Sequence, residues 1–419
     1  MESILEVLSA PWAIRALIAS SMVGIMCGAL GCFLVLRNMS MIGDALSHAI
    51  LPGIFFAFIF FGYSTLGFFL GATLAGLVSA IGITWVQEHV KTKNDAAIGI
   101  IFTSMFSIGV IGISYLNQSK GAHLDLTDFL FGNVLGISNE DMFLTFIVLL
   151  YTIGSIIFFY RYLFITTFQP TIASAMGFST KTMHYFFMLL LSVAVVSSLR
   201  TVGVILVVAM LITPAATALL LFDNLKKVIV FSAFIGMVSA VTGFFIAVLF
   251  GTTPGPAMTL TATFFYLLAA FFSPSKGLLI KYLDKQAQVS RIVNEDVLRQ
   301  MIKQPEVGIS ASQLAENLGI SARRVRRSIV KLAQLKLLST EAGLNKLTSL
   351  GIKAANRLVR AHRLWETYQV TKMGLAANQI HDEADYLEHL LSDEILEELD
   401  QDLGFPETDP HGSPIPSNK

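Results

Sequence analysis

An all-α polytopic membrane bundle of eight or nine helices, followed by a soluble unit with a winged helix-turn-helix and further helices, is the fold class that three observations predict. The 419-residue chain is 54% hydrophobic and only 14% charged, too apolar for a soluble protein of this length. Its charge is unevenly placed: residues 1–283 hold 12 Lys/Arg and 10 Asp/Glu, whereas residues 284–419 hold 17 and 19. The net charge of zero therefore joins a lipid-soluble part to a water-soluble one. Finally, the first part breaks into long apolar runs.

Those runs lie at 13–36, 44–61, 65–87, 96–117, 141–163, 183–199, 202–222, 228–250 and 257–275. Each has about 17–25 residues, enough to cross a hydrocarbon core of about 30 Å. The segment 124–137 adds a candidate re-entrant piece. The first run reads as a span, since no convincing small-residue cleavage site follows it. Basic residues near the span ends set orientation. Arg37, Lys91 and Lys93, Arg161 with Lys181, Lys226 and Lys227, and Lys281 with Lys285 fall on alternate loops, read as cytoplasmic. Arg15, Lys120 and Arg200 stand on the other side. This places the N-terminus outside and the C-terminal part in the cytoplasm.

Only two cysteines occur, Cys27 and Cys32. Five residues apart on one helix they point to different faces, which favours packing over a bridge. The spacing Gly24-x-x-x-Gly28 and Gly67-x-x-x-Gly71 lets membrane helices approach closely, which predicts a tight bundle without specifying an activity.

Asp44 is the only acidic residue between Glu6 and Glu88. His48 follows one helical turn later on the same face. An ionisable pair in an apolar segment is costly and marks a candidate functional site, and Asp plus neutral imidazole is half of a divalent-metal site. The bland reading is a helix cap and a packed ring. Phe168–Gly177 is too short and too broken by Pro170 to span, and reads as a short amphipathic helix ending near Gly177. In the run Val202–Ala218, Pro214 stands between Thr213 and Thr217. It predicts a kink, with hydroxyls satisfying the carbonyl freed one turn back.

Asp44-Ala-Leu-Ser-His48-Ala-Ile-Leu-Pro-Gly53, the Ala175-Met-Gly177 loop and Leu211-Ile-Thr-Pro214-Ala-Ala-Thr-Ala218 come in order and resemble the permease subunit of manganese, iron and zinc ABC importers, over about residues 1–275. The resemblance implies a permease dimer, homomeric or with a related permease. It also implies a separate ATPase and a separate extracytoplasmic metal-binding protein, in a bacterial cytoplasmic membrane. By resemblance, 168–180, with Gln169, Pro170, Ala175 and Gly177, becomes the coupling helix that docks on the ATPase. Asp44 and His48 become transport-metal contacts, and Pro214 bends the pathway helix. Gln169 stands where members often carry an acid. The chain has no G-x-x-x-x-G-K-[ST] phosphate loop, so ATP hydrolysis by that mechanism falls to another chain and the protein is not itself an enzyme.

After Ser273 the sequence turns polar. Residues 276–291 read as a helical or extended linker and Asn294–Lys303 as a first helix. Ile309–Ile320 gives a second helix with a turn at Gly319, and Ser321 caps a third, Ala322–Leu332. Val325, Ile329 and Leu332 mark its buried face. The order is a helix-turn-helix whose Arg323, Arg324, Arg326 and Arg327 can reach DNA, holding phosphates with or without reading bases. Leu337–Thr348, with Gly343 in the middle, supplies a wing, so that 292–350 forms a winged module.

Three of the eight histidines lie between 362 and 389. His362 and Glu366 are one turn apart. His381, Asp385, Glu388 and His389 form one stripe on a following helix. Imidazole and carboxylate without thiolate favour a first-row divalent ion.

Ala361-His-Arg-Leu-Trp-Glu366, His381–His389 and Asp409-Pro-His-Gly412 resemble the diphtheria-toxin-repressor family of metal-dependent regulators, over about 290–415. That implies a helical metal-binding and dimerisation domain at 351–405, with 406–419 as a tail. By resemblance, Asp296, Asp385, Glu388 and His389 form the activating metal site, and His362, Glu366 and His381 a second. Acid at Asp385 and Asp296 favours Mn²⁺ over Fe²⁺ or Zn²⁺, although Arg299 replaces a second acid. The function implied is a metal-importer permease with a fused metal sensor, either a tethered transport brake or a released DNA-binding repressor. The competing class is a secondary transporter or channel.

Overall fold

Small residues decide how the membrane helices assemble. The computed structural model describes residues 10–90, 93–120, 136–304, 308–341, 343–375 and 391–417. It divides into two compact units, residues 1–280 and 281–419. In the first unit α1 (Pro11–Leu36) is the central helix, with its second half almost wholly buried. Gly24 and Gly28 on α1 face Gly236 and Ser232 on α10 (Leu225–Phe250), so closely that a Cβ at Gly24 would stand 2.5 Å from the Gly236 carbonyl oxygen. Ser232 adds a 2.7 Å hydrogen bond from its hydroxyl to the Gly28 carbonyl. Cys27 and Cys32 are both buried and free.

Around α1 stand α2 (Ser40–Ala49), α3 (Leu51–Phe61), α4 (Thr65–His89), α5 (Asn94–Lys120), α6 (Asn139–Phe158), α7 (Tyr160–Phe168), the short α8 (Pro170–Ala175), α9 (Thr180–Leu221) and α11 (Pro254–Phe272). Among the described residues eight helices are long and apolar enough to cross a membrane, α2 and α3 counting as one. The expected re-entrant piece at 124–137 lies almost wholly outside the described residues.

α9 contains a reversal. Its 42 residues are interrupted at Gly203, whose φ of 79° and ψ of 169° are not helical. The Phe187 ring meets Phe33 at 6.3 Å between centroids. Leu211 backs onto Gly31, and Ala215 and Ala218 cluster with Cys32. Phe187 and Leu211 are 24 residues apart, about 36 Å along a straight helix, yet both lie against the same part of α1. The chain therefore turns back at Gly203, where only a residue without a Cβ adopts this φ freely. Divided there, α9 counts as two arms, which makes nine long apolar segments among the described residues.

The break is at Gly203, while Pro214 is buried inside the second arm of α9. The Thr217 hydroxyl bonds back to the Thr213 carbonyl at 2.7 Å rather than to a carbonyl one turn before the proline.

The reversal also sorts the bundle ends. One end gathers Arg15 with Asn139, and Arg200 with both Asp141 and the Thr65 carbonyl. The other gathers Arg37 with Thr166 and Thr167, and Lys276 with Asp223 and the Leu219 carbonyl. α8 belongs to this second end.

In the second unit α12 (Leu278–Met301) is one continuous helix through the stretch expected as linker, beginning 16 residues before Asn294. Its Val297, Leu298 and Met301 pack with Leu314 of α13 (Ala311–Leu318) and Val325, Ile329 and Leu332 of α14 (Ala322–Gln334). A capping box between Ser310 and Gln313 starts α13, and Gly319 ends it in the left-handed region. Ser321 sits at the N-cap of α14 without a side-chain cap bond. The wing is the antiparallel pair β1 (Leu338–Glu341) and β2 (Leu344–Leu347), with Leu338 opposite Leu347. α15 (Ser349–Thr371) and α16 (Asp393–Asp402) form a separate small core of Ala361, Leu364, Leu391, Leu396 and Leu399. Within the stretch expected as a tail, Thr408 pairs with Pro414, and the Ile415 N–H donates to the Glu407 carbonyl at 2.8 Å.

Candidate functional site

Two sites are built from short-range geometry, one in each unit. α2 follows Asn38, held at a φ of 56°, a conformation Asn tolerates better than most residues. This places α2 against the second arm of α9, where a Cβ on Gly43 would lie 2.9 Å from Leu211 Cδ1. One turn apart on α2, His48 Nε2 and Asp44 Oδ1 are separated by 3.7 Å. That is beyond a hydrogen bond, so neither atom is committed to the other. The His48 ring is wedged between Phe102 and Phe106 of α5, both at 5.6 Å, the latter edge-on. His48 is 21% exposed and Asp44 42%. His48 is thus held by aromatic walls, and both members of the pair are reachable. Among the described residues no third His, Cys, Asp or Glu completes a metal cluster with it.

Beyond the α2–α3 junction, Ile50 and Ile54 line a cavity of about 220 Å³ with Phe68, Ala72, Asp141, Val196, Leu199 and Arg200 among its walls. Arg200 and Asp141 meet at 3.0 Å. Sequence reasoning treated Arg200 only as an orientation marker. The available signal was its isolation, as the sole Lys or Arg between Lys181 and Lys226.

α8 has Pro170 in its first turn, which suits a position with no N–H to satisfy. Gly177 ends the segment at a φ of 82°. Only Ala173 is buried, and Phe168, Ile172 and Met176 form an exposed apolar row at helical spacing. Gln169 and Ala175 are exposed as well.

On α15, His362 Nε2 lies 3.1 Å from Glu366 Oε1, with side chains 8% and 1% exposed. They border a cavity of about 700 Å³ whose far wall includes Asp409 and His411 of the C-terminal hairpin. Asp409 accepts the His411 and Ser413 backbone N–H groups at 2.9 and 2.8 Å. Three arginines spaced along α15 secure the surroundings: Arg357 pairs with Asp393, Arg360 with Asp400, and Arg363 with Asp409 and the Pro414 carbonyl. The sequence carried this signal as Arg at i, i+3 and i+6, and it was missed. Asp296 lies half-buried on α12. His381, Asp385, Glu388 and His389 lie outside the described residues, so of the four residues expected to form an activating site only Asp296 is described. Arg323, Arg324, Arg326 and Arg327 are all exposed on α14, opposite its buried face.

Comparison with known proteins joins these features. Residues 9–273 match the family described as ABC 3 transport family. The chain belongs to that family. Residues 348–417 of this ABC 3 permease match a second family, the iron dependent repressor, metal binding and dimerisation domain. It is 44% identical over 265 residues to a manganese transport system membrane protein of Listeria monocytogenes, covering 63% of this chain and 92% of the relative. A manganese transport system membrane protein of Bacillus subtilis is 32% identical over 374 residues, 88% of this chain and 86% of the relative. That alignment is longer than the first unit, so it extends into the second. Among solved structures, PsaBC from Streptococcus pneumoniae in complex with Fab is 40% identical with a TM-score of 0.60, covering 68% of this chain and 99% of that one. The protein is thus an ABC 3 permease carrying a repressor-like metal-binding domain on the same chain.

Proposed function

We propose that this ABC 3 permease is the membrane subunit of an ATP-driven importer of divalent metal ions, manganese foremost. It would act as a dimer with itself or a related permease. A separate ATPase would dock on α8, and a separate metal-binding protein would deliver the ion at the opposite end. The observation that carries this reading is the Asp44–His48 pair, separated by 3.7 Å, with the His48 ring held between two phenylalanines. A carboxylate oxygen and an imidazole nitrogen suit a borderline divalent ion. Their helix packs directly on the arm of α9 that contains Pro214, so movement of that arm changes the pair's surroundings. The exposed row Phe168, Ile172 and Met176 supports docking at α8, and the basic residues at that end support a cytoplasmic face for both α8 and the second unit. The test is ⁵⁴Mn uptake by the full chain with its ATPase in proteoliposomes. Uptake that needs ATP and is lost in Asp44→Ala supports the reading. ATP-independent uptake would establish the secondary-transporter alternative.

The second unit is read as a tethered sensor that brakes transport when cytoplasmic metal rises. His362 and Glu366 fit a metal-binding role: two donors one turn apart, buried, and bordering a cavity, with His381 as a third. Asp296 with Asp385, Glu388 and His389 would hold the activating ion. A bound ion would supply a crosslink between helices. Within the chain, Arg357, Arg360 and Arg363 fix α16 and the C-terminal hairpin on α15, which keeps the His362 face in register. The continuous α12 favours tethering over release. Exposed Arg323, Arg324, Arg326 and Arg327 favour the second reading, metal-dependent DNA binding. Transport that slows with internal Mn²⁺ in wild type but not in Glu366→Gln supports the brake. Metal-dependent operator binding by the detergent-solubilised full chain, lost in Arg326→Ala, supports the repressor.

A further inference from the structure

A groove of about 510 Å³ runs between α12 and α14, within the second unit. It exists because α12 is unbroken through the stretch that the sequence presents as a linker. Tyr282, Lys285, Val289 and Val293 recur at helical spacing along one face of α12, and Asn294 borders that face. Across the groove stand Arg324, Arg327 and Ser328, which share a face of α14.

Asn294 and Ser328 are the buried part of this lining, 7% and 4% exposed. The Asn294 side-chain oxygen and the Ser328 hydroxyl are shielded from solvent, and neither has a hydrogen-bond partner among the described residues. Other buried serines of this chain donate to the carbonyl one turn back, as Ser47 does to Gly43 at 2.8 Å and Ser198 to Ala194 at 2.7 Å. Ser328 does not. Burying a polar atom without a partner is costly, and here two such atoms face one groove from two helices. The exposed part of the lining is cationic, with Lys285, Arg324 and Arg327. None of these three makes an ion pair among the described residues. The Gln286 amide donates to the Tyr282 hydroxyl at 2.6 Å, which holds the phenol ring on the same wall as Val289 and Val293.

Three chemistries meet in this lining. Two guanidinium groups and an ammonium suit a phosphate oxyanion, an aromatic and aliphatic wall suits a flat ring, and a buried acceptor beside a hydroxyl suits the polar edge of that ring. We propose that the groove binds a nucleoside phosphate of mononucleotide size. Its phosphate lies with Lys285, Arg324 and Arg327, its base against Tyr282 and Val289, and the base edge supplies the missing partners of Asn294 and Ser328. The volume falls in the range of about 300–1,000 Å³ usual for small-molecule sites. Occupied, the groove ties the first half of α12 to α14 and takes up Arg324 and Arg327. Such binding needs neither a transport brake nor DNA recognition.

The test is isothermal titration calorimetry on the full chain in neutral detergent. The probes are AMP, GMP, CMP and UMP, their nucleosides, and inorganic phosphate. At least one mononucleotide is expected to bind once per chain, with its nucleoside and inorganic phosphate each about tenfold weaker or more. Lys285→Gln and Arg327→Gln each weaken that binding about tenfold. Asn294→Leu removes the unpartnered oxygen at nearly constant volume, so it abolishes binding while Tm of the unliganded chain holds or rises. Arg326→Ala, on α14 but outside the lining, binds as wild type, which separates the groove from a general attraction to arginines. Lys285 is exposed, so Lys285→Gln is expected to fold even where Asn294→Leu does not. Four results overturn the proposal: no mononucleotide bound, inorganic phosphate bound as tightly as any nucleotide, undiminished binding in Lys285→Gln, or equal losses in Arg326→Ala and Arg327→Gln. A random-sequence DNA duplex bound where no mononucleotide binds overturns it as well. None of these variants touches Asp44, His48 or Glu366, so failure here leaves the metal readings intact.

Discussion

Replacing Gly28 by alanine should loosen the bundle at its centre. The added Cβ would stand 2.5 Å from the Ser232 carbonyl oxygen and 2.9 Å from its carbon, inside the 3.0 Å that real Cβ contacts respect. Both obstacles are backbone atoms of α10, so no side chain can swing aside and the helices must part. Overpacking of this kind costs about 1–3 kcal/mol. Separation also stretches the 2.7 Å bond from the Ser232 hydroxyl to the Gly28 carbonyl, worth about 1 kcal/mol. Against this, alanine gains up to about 1 kcal/mol of helix propensity over glycine, leaving a net loss of about 2 kcal/mol. For a large domain that is a fall in Tm of roughly 4–8 °C, measurable by thermal unfolding in detergent. Gly154→Ala is the matched control. It adds a Cβ with nothing within 4 Å, so only the propensity gain remains and Tm should hold or rise slightly. If Gly28→Ala is as stable as wild type, or both variants fall equally, the close α1–α10 approach is not what the small residues provide.

Asp44→Asn and His48→Phe should each abolish ⁵⁴Mn uptake while leaving Tm within a few degrees, since phenylalanine keeps the packing against Phe102 and Phe106; normal uptake in both would reduce the pair to packing residues. Arg200→Ala should destabilise by about 1–2 kcal/mol, discounted for the partial exposure of its pair with Asp141. The double variant with Asp141→Ala should recover part of that loss in a mutant cycle, and strict additivity would deny the coupling. Ile172→Asp, on the exposed row of α8, should cut co-purification of the ATPase at least tenfold without altering metal binding; unchanged co-purification would place the dock elsewhere.

Much of this architecture is readable from residues alone because apolar length and Lys/Arg placement are local signals. The nine apolar runs fall on the eight long apolar helices among the described residues, α9 taking two of them on either side of Gly203, and a boundary between Leu199 and Val202 is already visible from Arg200. The cause of that boundary is less legible. Proline advertises a kink, yet Pro214 sits inside a helix arm, and a lone glycine among many marks the actual reversal. Glycine is also the partner of glycine at Gly24 and Gly236, a pairing across 212 positions that spacing on one helix does not reveal. At the candidate site on α2, Asp44 and His48 stand out by charge in an apolar run. The phenylalanines that hold His48 are ordinary span residues in sequence and become distinctive only once α5 is placed. In the second unit, helix periodicity gives α13 and α14, whereas α12 hides its length because its exposed first half lacks a buried stripe. The hairpin at Glu407–Ile415 is stabilised by backbone bonds and by Arg363 on another helix, neither of which composition records.

The reversal at Gly203 decides where the chain leaves the first unit. With α9 counted as two arms, the stretch after α11 emerges at the same end of the bundle as α8, where the Ser273 hydroxyl bonds to the Leu220 carbonyl and Lys276 pairs with Asp223. A substitution that straightened α9 would carry that exit to the opposite end of the bundle. One residue without a side chain thus sets the parity of the whole membrane unit.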